Sequence, residues 1–125
     1  MARLQRNQVM LLTGWDDARL ADMVRWGLVT QEAGGYVPVE LWVASPKARE
    51  AFDQLLDLAR QGEDWWTQLP SRWIGLEVAG LVEVLKPSDA FTGYWKDRQE
   101  WRIRLTELGR EVARELLQSE LLKLG

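Results

Sequence analysis

The sequence predicts an α+β fold in which helices pack on two β-hairpins, and three observations point there. One supersecondary pattern is written twice: a short helix running into Gly-Leu-Val, a hairpin, then a Ser/Thr-capped helix carrying Arg-Glu and a Leu pair. Apolar positions spaced by three and four mark helices, and shorter extended runs lie between Gly and Pro breaks. A length of 125 residues, 46% of them apolar, suits one compact domain over 1–125, divided into half-repeats 15–61 and 63–124.

The closing helices of the two copies align without a gap. Ser45 to Leu56 lies over Thr106 to Leu117, and Arg49/Arg110, Glu50/Glu111, Leu55/Leu116 and Leu56/Leu117 coincide. An internal tandem repeat of this kind bears on the whole fold before any single element does.

Taken in order, Leu4, Val9, Leu11 and Leu12 suit a short first helix that Thr13-Gly14 stops. Asp16 or Asp17 caps the next, whose inward face is Leu20, Met23, Val24 and Trp26 and which Gly27 closes. Leu28 to Glu32 and Tyr36 to Val43 are expected as the strands of a hairpin. Gly34-Gly35 supplies the positive φ of its turn, and Pro38 places its strand on an edge. Ser45-Pro46 opens a helix with a cap and a first-turn proline, and the stripe Ala48, Ala51, Phe52, Leu55, Leu56, Ala59 recurs at three and four until Gly62. Glu63 to Leu69 is expected as a brief helical or irregular segment, because the adjacent Trp65 and Trp66 cannot both face the same way. Pro70-Ser71 starts a helix that ends at Gly80, Leu81 to Lys86 is a strand, 87–94 an extended loop, and Gln99 to Leu105 the returning strand. Thr106 caps the last helix. Its positions 105, 108, 112 and 116 face the core, and a second stripe, Leu117, Leu121 and Leu124, lies on another face and wants a partner.

Composition removes whole chemistries. With no Cys and no His there is no disulfide, no thiol nucleophile, no imidazole base and no thiolate or imidazole zinc site. Asp16-Asp17 with Asp22, and Glu63-Asp64, lack calcium-loop spacing. The expectation is a protein that is not an enzyme and uses no metal and no cofactor. No stretch is long and apolar enough to cross a bilayer, and residues 1–8 run polar into a brief Val9-Met10-Leu11-Leu12, unlike a signal peptide. The expected location is the cytoplasm, with no membrane partner. A net charge of −3 argues against a protein that coats nucleic acid, since Lys and Arg on phosphates supply most non-specific affinity. A local basic stripe is compatible with that balance.

The second copy resembles the latter part of a winged-helix domain of the MarR and PadR type. The residues that carry the resemblance are Gly80-Leu81-Val82 before the hairpin and Leu105-Thr106-Glu107-Leu108-Gly109-Arg110 after it, and it covers residues 46 to 124 with the Ser45 helix serving as the first helix. The resemblance implies that the helix before Gly80 is the recognition helix, the hairpin the wing, and the terminal helix a dimer element. The departure is in the recognition helix. Pro70 to Ala79 offers only Ser71, Arg72 and Glu77 among Trp73, Ile74, Leu76 and Val78, whereas base edges need several exposed polar side chains.

The function expected first is a non-enzymatic, DNA-associated or transcription-regulating protein that contacts duplex DNA through the second hairpin, at Arg72, Lys86, Lys96, Arg98, Arg102 and Arg104. Strand alternation puts Arg102 and Arg104 on one face, and Phe91, Tyr94 and Trp95 interleave with the charges, so the finger suits a phosphate backbone or minor groove. The alternative is a protein-binding adaptor of phage or plasmid type on the same scaffold, docking through Trp65, Trp66 and Trp95. Trp26, Trp42, Trp73 and Trp101 are expected in the core. Leu117, Leu121 and Leu124 either fold back on the first copy or pair two chains as a homodimer.

Overall fold

A computed structural model of the chain describes residues 2–32, 35–62, 64–67, 70–85 and 101–124. They form an α+β structure of six helices and two small antiparallel sheets. The first half holds α1 (Arg6–Thr13), α2 (Asp17–Arg25), β1 (Gln31–Glu32), β2 (Gly35–Tyr36) and α3 (Pro38–Ala44). Then come α4 (Pro46–Arg60), β3 (Asp64–Thr67), a 3₁₀ turn (Pro70–Trp73) running into α5 (Ile74–Val78), β4 (Val82–Leu85), β5 (Trp101–Leu105) and α6 (Glu107–Leu124).

The larger sheet has the order β3-β5-β4, with β5 antiparallel to both neighbours. The smaller repeats that pattern in miniature: Leu4 forms a bridge to Tyr36 of β2, and β2 pairs with β1. In each half, a first extended segment pairs with the third, helical residues intervene before the second, and the third leads into a helix.

The helix-to-strand corners of the two halves share their hydrogen bonding as well. After α2, the Leu28 N–H donates to the Met23 carbonyl at 3.0 Å and the Gly27 N–H to Val24 at 3.1 Å; after α5, Leu81 donates to Leu76 at 2.9 Å and Gly80 to Glu77 at 2.9 Å. Gly27 and Gly80 have φ of 77° and 79°. This paired six-to-one and five-to-two bonding is the Schellman motif, which needs a left-handed residue at its glycine. At the helix starts, Ser45 Oγ accepts from the Ala48 N–H at 3.1 Å and Thr106 Oγ1 from the Gly109 N–H at 3.0 Å, the same cap at the same offset.

Those residues also explain why Thr106 and Gly109 follow the second hairpin at fixed spacing. The Thr106 N–H donates to the Leu81 carbonyl at 3.1 Å and its hydroxyl to the Gly80 carbonyl at 2.6 Å, so one residue stitches the helix to the preceding corner. The first turn of α6 then lies directly against the Leu81 backbone. A Cβ on Gly109 would overlap the Leu81 carbonyl oxygen.

The core gathers around α4, which touches α1, α3, α5, α6 and the larger sheet. Ala48, Phe52, Leu55, Leu56 and Leu58 of α4 are buried, together with Val9, Leu12, Leu20, Leu76, Ile103, Leu105, Val112 and Leu116. The inward stripes expected for α4 and α6 are therefore in place.

Three expectations are corrected. Residues 38–44 are helix α3, not the second strand of a hairpin. Pro38 sits in its first turn, where a missing N–H costs nothing, and Pro38 and Leu41 are buried three residues apart. The end of α3 is held from α4: Arg49 donates to the Trp42 and Val43 carbonyls at 3.1 and 3.0 Å, its guanidinium lies 5.7 Å from the Trp42 ring centre, and Trp42 Nε1 donates to Asp53 at 3.0 Å. Second, 64–67 is strand β3, registered Trp65 to Ile103 and Trp66 to Arg102, where a helical or irregular segment was expected. Third, Trp26 is 58% exposed. It caps α2 and falls about 110° round the helix from the centre of the Leu20–Met23–Val24 face. Trp73 is buried as expected, and Trp42 is partly buried against the core. In the first turn Gly35 has φ of 124°, while Gly34 lies outside the described residues.

Candidate functional site

The β4–β5 hairpin builds the candidate surface by alternation. Val82 and Val84 pair with Leu105 and Ile103 on the side facing the core, which puts Glu83, Leu85, Arg102 and Arg104 on the other. The expected sharing of one face by Arg102 and Arg104 follows from this register. Directly opposite Arg104 stands Glu83, and the guanidinium donates from Nε and Nη2 to Glu83 Oε2 at 3.1 and 2.9 Å. Both side chains remain about half exposed, so the pair is a surface ion pair whose worth is about 0–1 kcal/mol. Its electrostatic consequence is larger than its stability: the positive charge at 104 is matched within the sheet. Arg102, opposite Leu85, is half-buried and also engaged in an interaction.

Arg72 is exposed in the 3₁₀ turn, whose position is fixed by Gln54 Nε2 donating to the Arg72 carbonyl at 3.2 Å. Lys86, Lys96, Arg98 and Trp95 lie outside the described residues. Trp65 and Trp66 lie in β3 beside the central strand, and Leu121 and Leu124 in the last turns of α6. Leu117 packs in part against the core, so the first residue of that stripe folds back on the body.

Next to the hairpin, α5 turns Leu76 inward and leaves Ile74 54% and Val78 66% exposed. Glu77 is exposed beside them. The corresponding helix of the first half, α2, is charged, and three of its charged residues are paired locally, Arg25 with Asp22 and Asp17 with Arg6 of α1, while Arg19 is exposed. Its end presents Trp26 and Leu28, the latter 52% exposed where its counterpart Leu81 is fully buried.

Three functional features were not found from the sequence. Glu83 as the partner of Arg104 depends on hairpin register, and the many residues separating the two strands in the sequence leave register undetermined. The outward aim of Ile74 and Val78 was legible only as a four-residue spacing opposite Leu76. The contact that requires Gly109 is with a backbone twenty-eight residues away and leaves no periodic signal. Chemically, the described surface offers charge and apolar area. Among the described residues no three carboxylates gather as a metal group, and no buried side-chain nitrogen or oxygen lacks a partner. No helix among them is long and apolar enough to cross a membrane. Compared with protein-family models, curated proteins and solved structures, the chain matches none.

Proposed function

We propose that this chain is a small non-enzymatic winged-helix protein, DNA-associated or transcription-regulating, that touches duplex DNA through the β4–β5 hairpin. The observation that carries the reading is the order α4, β3, 3₁₀–α5, β4, β5, α6 with strand order β3-β5-β4. We read that order as compatible with a winged helix, with the β4–β5 hairpin taken as the wing. The miniature of the same pattern at Leu4, β2 and β1, together with the matched Schellman corners and caps, supports a degenerate duplicate unit.

Charge supports the choice of surface. Residues 82–105, the two strands and the residues between them, carry five Lys or Arg against four Asp or Glu in a chain whose net charge is −3. The hairpin is thus slightly positive by sequence where the chain as a whole is negative. Because Glu83 already matches Arg104, the proposal assigns phosphate contact chiefly to Lys86, Lys96 and Arg98, with Arg102 and Arg72 as further candidates. The test is a random-sequence duplex titrated between about 50 and about 200 mM salt. Each cation that neutralises a phosphate contributes about 0.9 to the salt slope, so K86A/K96A/R98A should lose about 2.7. A variant indistinguishable from wild type overturns the assignment to this hairpin.

A second reading, the protein-binding adaptor of phage or plasmid type, is favoured by the exposed Ile74 and Val78 on α5 and by Trp26 and Leu28. It differs in a measurable way: no duplex binding at any salt.

A further inference from the structure

The corners after α2 and α5 are built alike, each with a left-handed glycine and a leucine whose N–H donates to the carbonyl five residues earlier. In a Schellman motif that leucine commonly packs on the residue whose carbonyl it bonds. In the second half both partners, Leu81 and Leu76, are buried. In the first, Met23 is buried but Leu28 stands 52% exposed, and Trp26, two residues before it, 58% exposed. The difference lies in what covers the corner. Over Leu81 the first turn of α6 closes: the Thr106 N–H donates to the Leu81 carbonyl at 3.1 Å, and Gly109 lies so near that a Cβ would come within 1.9 Å of that oxygen. At the matching place in the first half stands Ser45, but α3 intervenes and the Ser45 N–H donates to Leu41 at 2.9 Å. The Leu28 corner is left open, and a Cβ on Gly27 would meet nothing within 4 Å.

We propose that the Trp26–Leu28 corner docks the first turn of a helix from another protein, one that begins with a Ser or Thr cap, has Gly three residues on and Arg or Lys next. The chain itself supplies the template, since Thr106, Gly109 and Arg110 stand at those positions over Leu81. Charge selects the basic residue. Glu40 accepts from the Thr30 N–H and hydroxyl at 3.2 and 3.0 Å, both uncharged donors two residues from Leu28, and among the described residues no cation pairs with it. Area selects a helix turn over a second copy of the chain. At their exposures Trp26 and Leu28 offer on the order of 250 Å², against about 800 Å² per partner in a standard interface, which suits one turn anchored on a tryptophan. The proposal holds whether or not the hairpin touches DNA.

The probe is a fluorescein-labelled peptide with the sequence of residues 105–118, titrated into the full chain and followed by anisotropy. Wild type should bind it. W26A and L28K, both at exposed positions, should each weaken binding about 30-fold or more, as truncating an interface anchor does. I74A/V78A, exposed on α5, should bind as wild type does. In the peptide, Gly109→Val should cost at least about tenfold, because its side chain would meet the Leu28 carbonyl. Arg110→Ala should weaken binding to wild type and leave binding to E40Q unchanged. Equal binding by wild type, W26A and L28K would place the peptide elsewhere, the Leu81 corner included, and overturn the proposal. So would no binding by wild type, or full tolerance of Gly109→Val. A doubled mass of the chain alone that is lost in W26A and L28K would overturn it too, by making a second copy the occupant. Each of these outcomes leaves the DNA-binding reading where it stands.

Discussion

Neutralising Glu83 should remove the carboxylate to which Arg104 donates, leaving Asp64 of β3 as the acidic residue registered opposite it. Arg104 donates twice to a single oxygen of Glu83 across β4 and β5, and both groups are about half exposed, so E83Q costs at most about 1 kcal/mol of stability. On the proposed function, the gain should appear in DNA binding. A guanidinium released to one phosphate adds about 0.9 to the salt slope, so a fourfold fall in salt should strengthen the variant about 3.5-fold more than wild type. Removing a carboxylate also weakens general repulsion of the duplex. The double variant E83Q/R104A separates the two effects, because it keeps the reduced repulsion and loses the guanidinium. Fluorescence anisotropy with a labelled random duplex gives all three slopes. The expected result is a steeper slope for E83Q that returns to the wild-type value in E83Q/R104A. Equal slopes for E83Q and E83Q/R104A would show that Arg104 never reaches a phosphate, and the ion pair would then have no bearing on DNA.

Two further outcomes test the corner that the second Schellman turn, Thr106 and Gly109 build together. G109A should lose about 2–3 kcal/mol by urea unfolding, since its Cβ meets the Leu81 carbonyl, whereas G75A, where the added methyl meets open space, should be neutral or gain up to about 1 kcal/mol. Equal effects of the two changes would mean that helix propensity, not the contact, governs position 109. T106V keeps the shape but loses the cap to the Gly109 N–H and the bond to the Gly80 carbonyl, and should cost about 1–2 kcal/mol in the same assay; a loss under about 0.5 kcal/mol would refute the stitching role.

Where sequence and structure agree, the signal was local or periodic. The caps made by Ser45 and Thr106 and the turns at Gly27 and Gly80 are local, formed by hydrogen bonds between residues three to five positions apart and by each glycine's own φ, and the stripes of α4 and α6 repeat at the helical period. Where they differ, the deciding partner was distant. The run Val37 to Val43 has the β-branched and aromatic content of a strand, yet Pro38 and Leu41 bury on one face and Arg49 ties off the end, so tertiary packing overrides propensity. In β3 the pair Trp65-Trp66 breaks no rule of a strand, which places successive residues on opposite faces; without the register to β5, nothing marked it as extended. Trp26 shows the limit of a three-residue spacing read without its angle. The candidate surface was half legible: alternation placed Arg102 and Arg104 together, while the neutralising Glu83 needed the pairing itself.

The proposal that duplex DNA meets the second hairpin is tested most directly by following backbone amide resonances during titration with a random duplex at low salt. Shifts should concentrate in 82–85 and 101–105 and the residues between them, with the amides of α2 and the outward side of α5 unmoved. Shifts centred on α5 or α2, or no shifts at all, would contradict it.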